Sequence, residues 1–438
     1  MKRYLFIDNF RGFSNAYIPI VDVNFLVGEN SSGKTSVLGL LKLFSNSSFL
    51  MGKDFFNDED VGFGHFNDMV SMHAEDRTYF RVGLIDEHPT KKKGIASASG
   101  MLLTFKEKDG LPRLAMLSRT MGRRCVHLHV GIKHTSYKSL DITTGLASAD
   151  QMASRVMPSW VTEHSKEGAG YASFVLSKDM ETTVQMPLLI ALSWAATPLK
   201  DDKSRSFSMP GPPWFSPEVV WVAPVRTKPR RTYDQLQSAF SSEGSHTPYL
   251  IKRILDGNDK KKFQEFITKL GSASGLFQAI RIKPFGTDVT APFEVDIVLD
   301  EKALNLFTVG YGVSQSLPIL VELLIRPRES VFAIQQPEVH LHPRAQAALG
   351  DVFFEMAVED KKCFLIETHS DFTIDRFRMN YARRKGKAPN SQILFFERRR
   401  KCNTATAMNI GPTGELPPDQ PESYRKFFIK EQLDLLGF

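Results

Sequence analysis

Residues 28–35 read Gly28-Glu29-Asn30-Ser31-Ser32-Gly33-Lys34-Thr35, which is the complete phosphate-loop spacing G-x-x-x-x-G-K-[ST]. Glycines at these places let backbone amides converge on phosphate oxygens with no Cβ in the way. The helix that must follow turns its positive end toward the same point. Lys34 is the charge that reaches the β- and γ-phosphates of a nucleotide, and Thr35 offers a hydroxyl to Mg²⁺, a hard cation that keeps several of its waters. Gly28, Asn30, Ser31, Gly33 and Ser36 complete the expected ATP-binding set. A second set, Cys125, His127, His129 and His134, has metal-binding residue types. Alternation puts the first three on one face of a strand, whereas zinc sites use four converging ligands with turn-like spacing, so these read as ordinary strand residues.

The phosphate loop needs a strand before it and a helix after it. Residues 4–7 (YLFI) and 23–27 (VNFLV) read as short strands, with the turn between them around Arg11 to Asn15. Behind the loop, Val37, Leu40, Leu41 and Phe44 recur at i, i+3, i+4 and i+7, the stripe of a buried amphipathic helix. From Tyr79 to Ile142, the runs YFRVGLI, GMLLTF, RLAML and CVHLHVGI predict an antiparallel meander. Residues 143–215 mix helical stretches with a breaker-rich segment, TPLKDDKSRSFSMPGPPWFSP, that reads as a surface loop. VVWVAPVR (219–226) returns to strand character, and 232–278 reads as helical. The last 160 residues alternate strands (280–284, 294–299, 331–334, 363–366, 393–396) with helices, one of them at about 344–358. The expected organisation is an N-terminal half-head (1–142), a mainly helical insertion (143–278) and a C-terminal half-head (279–438). There is no internal repeat and no long heptad run.

Three further segments narrow the class: TVGYGVSQSLPIL (Thr308–Leu320), VFAIQQPEVHLHPRAQ (Val331–Gln346) and CFLIETHSD (Cys363–Asp371). With the phosphate loop they resemble, in order and kind, the ABC-type ATPase heads of the SMC, RecF and OLD class. The resemblance covers the first 50 residues and about 75 near the C-terminus. It implies an α/β ABC-ATPase-like P-loop NTPase head with an antiparallel β subdomain. It places Ser314 and Gln315 in a signature at a helix start, facing the γ-phosphate on the opposite protomer, with Gly310 and Gly312 permitting close approach. His369 resembles the switch histidine. His340 and His342 fall in a dimer-facing loop.

The chain departs from that pattern after the apolar strand VFAI. Glu-Glu-Pro-Glu or Glu-Gln-Pro-Glu is expected there, and Gln335-Gln336-Pro337-Glu338 stands instead. Gln335 holds the Mg²⁺-associated position and Gln336 the water-activating one. A glutamine neither neutralises a cation nor takes a proton at neutral pH. Loss of a positioned base costs ~10²–10⁴-fold in rate, so slow hydrolysis is expected. A natural slow ATPase, a rescue by Glu338, and an engineered Glu→Gln change that traps ATP all remain open. Glu29 and Glu367 are further acids nearby, each expected in a structural role.

Composition bounds the rest. With 56 Lys and Arg against 49 Asp and Glu, the net charge is +7. Basic clusters at Lys91–Lys93, Arg226–Arg231, Lys260–Lys262, Arg383–Lys387 and Arg398–Lys401 suit either a phosphate backbone or a solvated surface. Three separated cysteines argue against a disulfide framework. The N-terminus lacks a signal-peptide h-region, and the longest apolar run, Met186 to Ala196, is too short for a bilayer, so a cytoplasmic protein is expected.

The resemblance extends to ATPase subunits of bacterial anti-phage systems of the PARIS or Septu type. It implies a homo-oligomer built from ATP-sandwich dimers that senses a nucleic acid or phage-protein trigger and controls a separately encoded effector nuclease. The alternatives are a RecF-like DNA-repair ATPase and a non-hydrolysing ATP-dependent scaffold.

Overall fold

The computed structural model describes residues 2–46, 49, 56–57, 59–89, 96–121, 124–131, 135–141, 148–163, 171–174, 218–234, 239–288, 290–384 and 388–427. The breaker-rich segment 197–217, the apolar run Met186 to Ala196, Lys91–Lys93, His134 and residues 385–387 lie outside these, as does much of 143–217. The chain divides into two compact units that it enters alternately. One comprises 1–21, 29–218 and 396–407, the other 22–28, 219–395 and 408–438.

The first unit is built on an eight-stranded sheet. Its strands are β1 (Arg3–Asp8), β2 (Ala16–Ile20), β4 (Tyr79–Pro89), β5 (Ala96–Lys108), β6 (Leu111–Met121), β7 (Arg124–Val130), β8 (Thr135–Asp141) and β9 (Ala172–Phe174), in the order β2-β1-β4-β5-β6-β7-β8-β9. All neighbours are antiparallel, so the meander expected over 79–142 is present as four consecutive hairpins. The alternating side chains meet across strands: Phe80 stands opposite Phe105 with ring centroids 5.3 Å apart, and Phe56 packs edge-on to both. Helix α1 (Lys34–Ser45) buries every residue except Thr35. A Cβ on Gly39 would lie 2.8 Å from Phe63 and 2.9 Å from Val61, which explains a glycine in mid-helix. Strand β2 is absent from the sequence expectation. It carries Pro19, which cannot donate to a ladder, and it survives because it occupies the sheet edge.

The second unit holds a parallel sheet. Its strands β10 (Val220–Val222), β14 (Val331–Gln335), β15 (Cys363–Glu367) and β3 (Val23–Gly28) lie side by side, followed by β16 (Ser391–Arg399), whose first residues belong here. Every residue of β3 and β14 is buried, as expected of strands covered on both faces. Among the described residues six helices belong to this unit: α2 (Thr247–Asp256), α3 (Lys260–Ser274), α4 (Tyr311–Ile325), α5 (Pro343–Glu359), α6 (Asp371–Arg383) and the short α7 (Glu422–Phe427). A Cβ on Gly350 would sit 2.4 Å from the Thr373 carbonyl, so a glycine is what lets α5 and α6 approach. Among the described residues between positions 232 and 278, only α2 and α3 are helical. Pro248 fits because it sits in the first turn of α2, where its missing N–H costs nothing. A small antiparallel sheet, β11 (Ala279–Pro284), β12 (Phe293–Leu299) and β13 (Lys302–Asn305), completes the unit.

Candidate functional site

The phosphate loop joins the end of β3 to α1. Its backbone takes left-handed conformations at Ser31 (φ 61°) and Gly33 (φ 99°), with Gly28 at φ 143°. Left-handed residues alternating with right-handed ones aim successive N–H groups into one concavity, a nest for anions. The loop is cross-braced: Ser32 Oγ donates to the Glu29 carbonyl at 2.6 Å, and Lys34 Nζ donates to the same oxygen at 2.7 Å. Lys34 is 3% exposed although it is a lysine, so its ammonium is held against the loop rather than in bulk water. No acid stands in the first turn of α1 to neutralise the helix end. Thr35 is exposed and Ser36 buried, while Glu29 and Asn30 are exposed on the outer part of the loop. Gly33 has no room for a side chain, because a Cβ there would lie 2.3 Å from the Phe13 ring.

The carboxyl ends of three parallel strands, β3, β14 and β15, form one edge of the second unit, the side on which ligands bind in open α/β sheets. Gln335 ends β14 directly opposite Glu367, and Glu367 in turn pairs with Leu26, two residues before Gly28. Gln335 Nε2 donates to Glu367 Oε2 at 3.2 Å. Gln336 turns the chain with φ 43° and donates its N–H to the Glu367 carbonyl at 2.7 Å. Glu338 Oε1 accepts the main-chain N–H of His369 at 2.7 Å, while its Oε2 is buried with no protein partner. The His369 ring stacks on Phe427 at 6.2 Å. Behind it, Ser370 caps α6 by accepting the Thr373 N–H, and its hydroxyl donates to Gln346 at 2.6 Å. Gln335, Glu338 and His369 are thus brought together, and Glu367 joins them. Its alignment depends on strand register, which no local motif reveals.

Arg226 belongs to this group, although the sequence reading set it in a basic cluster suited to either a phosphate backbone or a solvated surface. The residue is 3% exposed, and its Nη2 donates to the carbonyls of Gln335 at 3.1 Å and Gln336 at 3.3 Å. Burial lowers its pKa to about 10, opposed by the charge of Glu338. Its Nε and Nη1 are buried without protein partners. Orphaned donors on Arg226 and an orphaned acceptor on Glu338 suit a site that takes polar ligand atoms or water.

The signature segment opens α4. Gly310 is the N-cap, so Ser314 is the fourth helical residue and lies in the first turn, at the helix start where the sequence reading put it. Its hydroxyl donates to the Tyr311 carbonyl at 3.0 Å. Gly312 is needed for close approach, since a Cβ would lie 2.8 Å from the His340 carbonyl, whereas a Cβ on Gly310 would meet nothing within 4 Å. Gln315 is buried and bonds to the main chain of Arg226. His340, at φ 65°, packs beside Tyr311 with ring centroids 5.7 Å apart, and His342 caps α5 by accepting the Arg344 N–H. In the first unit, His127 is held by Ser118 Oγ at 2.8 Å and Cys125 Sγ at 3.2 Å.

Two family models match the chain. One, described as an AAA ATPase domain, matches residues 1–83. The other, described as "AAA domain, putative AbiEii toxin, Type IV TA system", matches residues 222–375. The phosphate loop between a parallel strand and a helix, together with these two matches, gives the α/β fold of a P-loop ATPase head. No curated protein matches this head in sequence. Among solved structures, it is similar to the SMC head domain from Thermotoga maritima, at 11% identity and TM-score 0.40 over 93% of this chain and 97% of that one. It is also similar to the Pyrococcus furiosus Smc head with an extended coiled coil bound to the C-terminal domain of ScpA, at 11% identity and TM-score 0.39 over 100% and 99%. A further similar structure is the recombination mediator RecF of the RecFOR pathway with a bound ATP analogue, at 10% identity and TM-score 0.31 over 93% and 98%. Among the described residues, no helix is long and apolar enough to cross a membrane.

Proposed function

We propose that the ATPase head binds ATP with Mg²⁺, hydrolyses it slowly, and uses the bound state to pair protomers into a switch that controls a separate effector nuclease in anti-phage defence. The observation that carries the nucleotide reading is the complete phosphate loop, with its left-handed nest and a buried Lys34 ahead of a helix free of acids. In this reading the loop amides and Lys34 hold the phosphates. Ser314 at the first turn of α4 acts on the nucleotide of a second copy. Thr35 at the head of α1 would offer Mg²⁺ a hydroxyl, and the metal would supply the charge that offsets the β- and γ-oxygens.

Water activation is the weak step. Gln335 and Gln336 take no proton, which leaves Glu338 as the proton acceptor: its Oε1 is fixed by the His369 N–H and its Oε2 is open to another partner. Gating by slow hydrolysis suits a holder that waits for a trigger. The match of residues 222–375 to a family whose description names a toxin of a type IV TA system supports control of a toxic effector more than a role in repair. The scaffold reading is favoured only by the two glutamines, and turnover separates it. The test combines steady-state phosphate release with light scattering, with and without Mg-ATP. Slow release with an ATP-dependent rise in mass is expected. Rapid release by a protein whose mass ignores ATP would refute the switch.

A further inference from the structure

Arg226 sits at the centre of a chain of contacts that the ATP-binding reading does not require. The side-chain amide of Gln315, in the first turns of α4, holds the Arg226 main chain at both polar groups: the Arg226 N–H donates to Gln315 Oε1 at 3.3 Å, and Gln315 Nε2 donates to the Arg226 carbonyl at 3.3 Å. From there the arginine side chain crosses to the turn after β14 and donates to the carbonyls of Gln335 and Gln336. Gln336 is left-handed, a conformation a glutamine keeps only when its surroundings impose it. The same guanidinium feels the charge of Glu338, whose carboxylate holds the His369 N–H.

A guanidinium buried this deeply, with two nitrogens, Nε and Nη1, unpartnered and no carboxylate gripping it, is costly as a mere strut. A buried strut would be served better by an apolar residue of the same volume. The geometry points to Arg226 as a positioning residue that relays the placement of the signature helix to the turn 335–338 and, through Glu338, to His369. The relay rests on the sandwich reading for its purpose. Engagement of the first turn of α4 with a nucleotide on a second copy would shift Gln315, and Arg226 would pass that shift to the protomer's own water-activating turn. Two composite sites would then report on each other.

The test is amide hydrogen exchange by mass spectrometry on the full chain, comparing wild type, Gln315→Leu, Arg226→Lys, Arg226→Gln and the Gln315→Leu/Arg226→Gln pair. Gln315→Leu leaves the guanidinium and the turn intact, yet it is expected to speed exchange in peptides spanning 335–341 and 367–371 by about fivefold. The double variant should exchange no faster there than Arg226→Gln alone, because both break one chain of contacts. Arg226→Lys keeps the charge beside Glu338 and is expected to fall between, which preserves the test if Arg226→Gln does not fold. Acceleration confined to 224–228 and 311–317, or full multiplication of the two effects, would overturn the relay. Titration of the same proteins with a fluorescent ATP analogue keeps the two ideas apart. A wild-type chain that fails to bind the analogue removes the ATPase reading, and the exchange data still decide the relay.

Discussion

Gln335 and Glu367 face each other across adjacent parallel strands, joined by an amide-to-carboxylate hydrogen bond of 3.2 Å. The contact supplies an acid at the sheet edge where the family pattern would put it one strand away. It also sets a condition on restoring the pattern. Gln335→Glu would bring two carboxylates to this distance, and one of them must then take a proton or a cation. The variant is expected to lose about 1–3 kcal/mol of stability at pH 8 without Mg²⁺, from the lost hydrogen bond and the like-charge contact. Lowering the pH or adding Mg²⁺ should restore it, and turnover should rise. A melting temperature that ignores both pH and Mg²⁺ would show that the two side chains do not meet.

Glu338 is the second acid to test. Gln at this position still accepts the His369 N–H through its side-chain oxygen, so Glu338→Gln removes charge and basicity while keeping the loop in place. If Glu338 is the base, single-turnover hydrolysis should fall ~10²–10⁴-fold with ATP affinity nearly unchanged. Unaltered turnover would leave the chain with another base or none.

Away from the site, Glu322 forms a buried network with His246 Nε2 at 2.8 Å and Arg326 Nε at 2.6 Å. Ser241 donates its N–H to His246 Nδ1, so Nε2 carries the proton that Glu322 accepts. Burial alone would raise the Glu322 pKa, but the hydrogen bonds from His246 and Arg326, with the charge of Arg326, outweigh it and hold the pKa below the usual 4.5. A depressed carboxyl stabilises the fold above its unfolded value and loses that contribution as pH falls through its folded value. Acid unfolding of wild type should therefore be displaced relative to Glu322→Gln, with the difference greatest near neutral pH and fading below about pH 4. Parallel acid curves would contradict this.

The parts of this head that were legible in sequence are those whose cause is local. The phosphate loop is contiguous, α1 announces itself by Val37, Leu40, Leu41 and Phe44, and β14 and β15 are apolar runs bounded by polar ends. Strand β2 escaped because Pro19 masks it, and only its edge position makes the proline tolerable. Glu367 and Arg226 were visible as a nearby acid and a member of a basic cluster, but their places in the site were not. Each matters through a partner 32 and 109 residues away, set by the register of β14 with β15 and by the path of the chain after β10. A run of arginines reads as surface charge until one of them is found under a turn.

The central claim is that each ATP is held by the phosphate loop of one copy and the signature of another. Lys34→Ala should remove the first half, weakening ATP binding at least about tenfold, or roughly 1.4 kcal/mol, and Ser314→Arg should block the second. The most direct measurement is ATP turnover of the two variants, each shown to melt like wild type, alone and mixed in equal amounts. Each alone should be nearly inactive. In the mixture half of the dimers pair the two variants, and one of the two sites in each such dimer is whole, so about a quarter of wild-type turnover should return. A mixture no more active than its components, with assembly intact, would contradict the account.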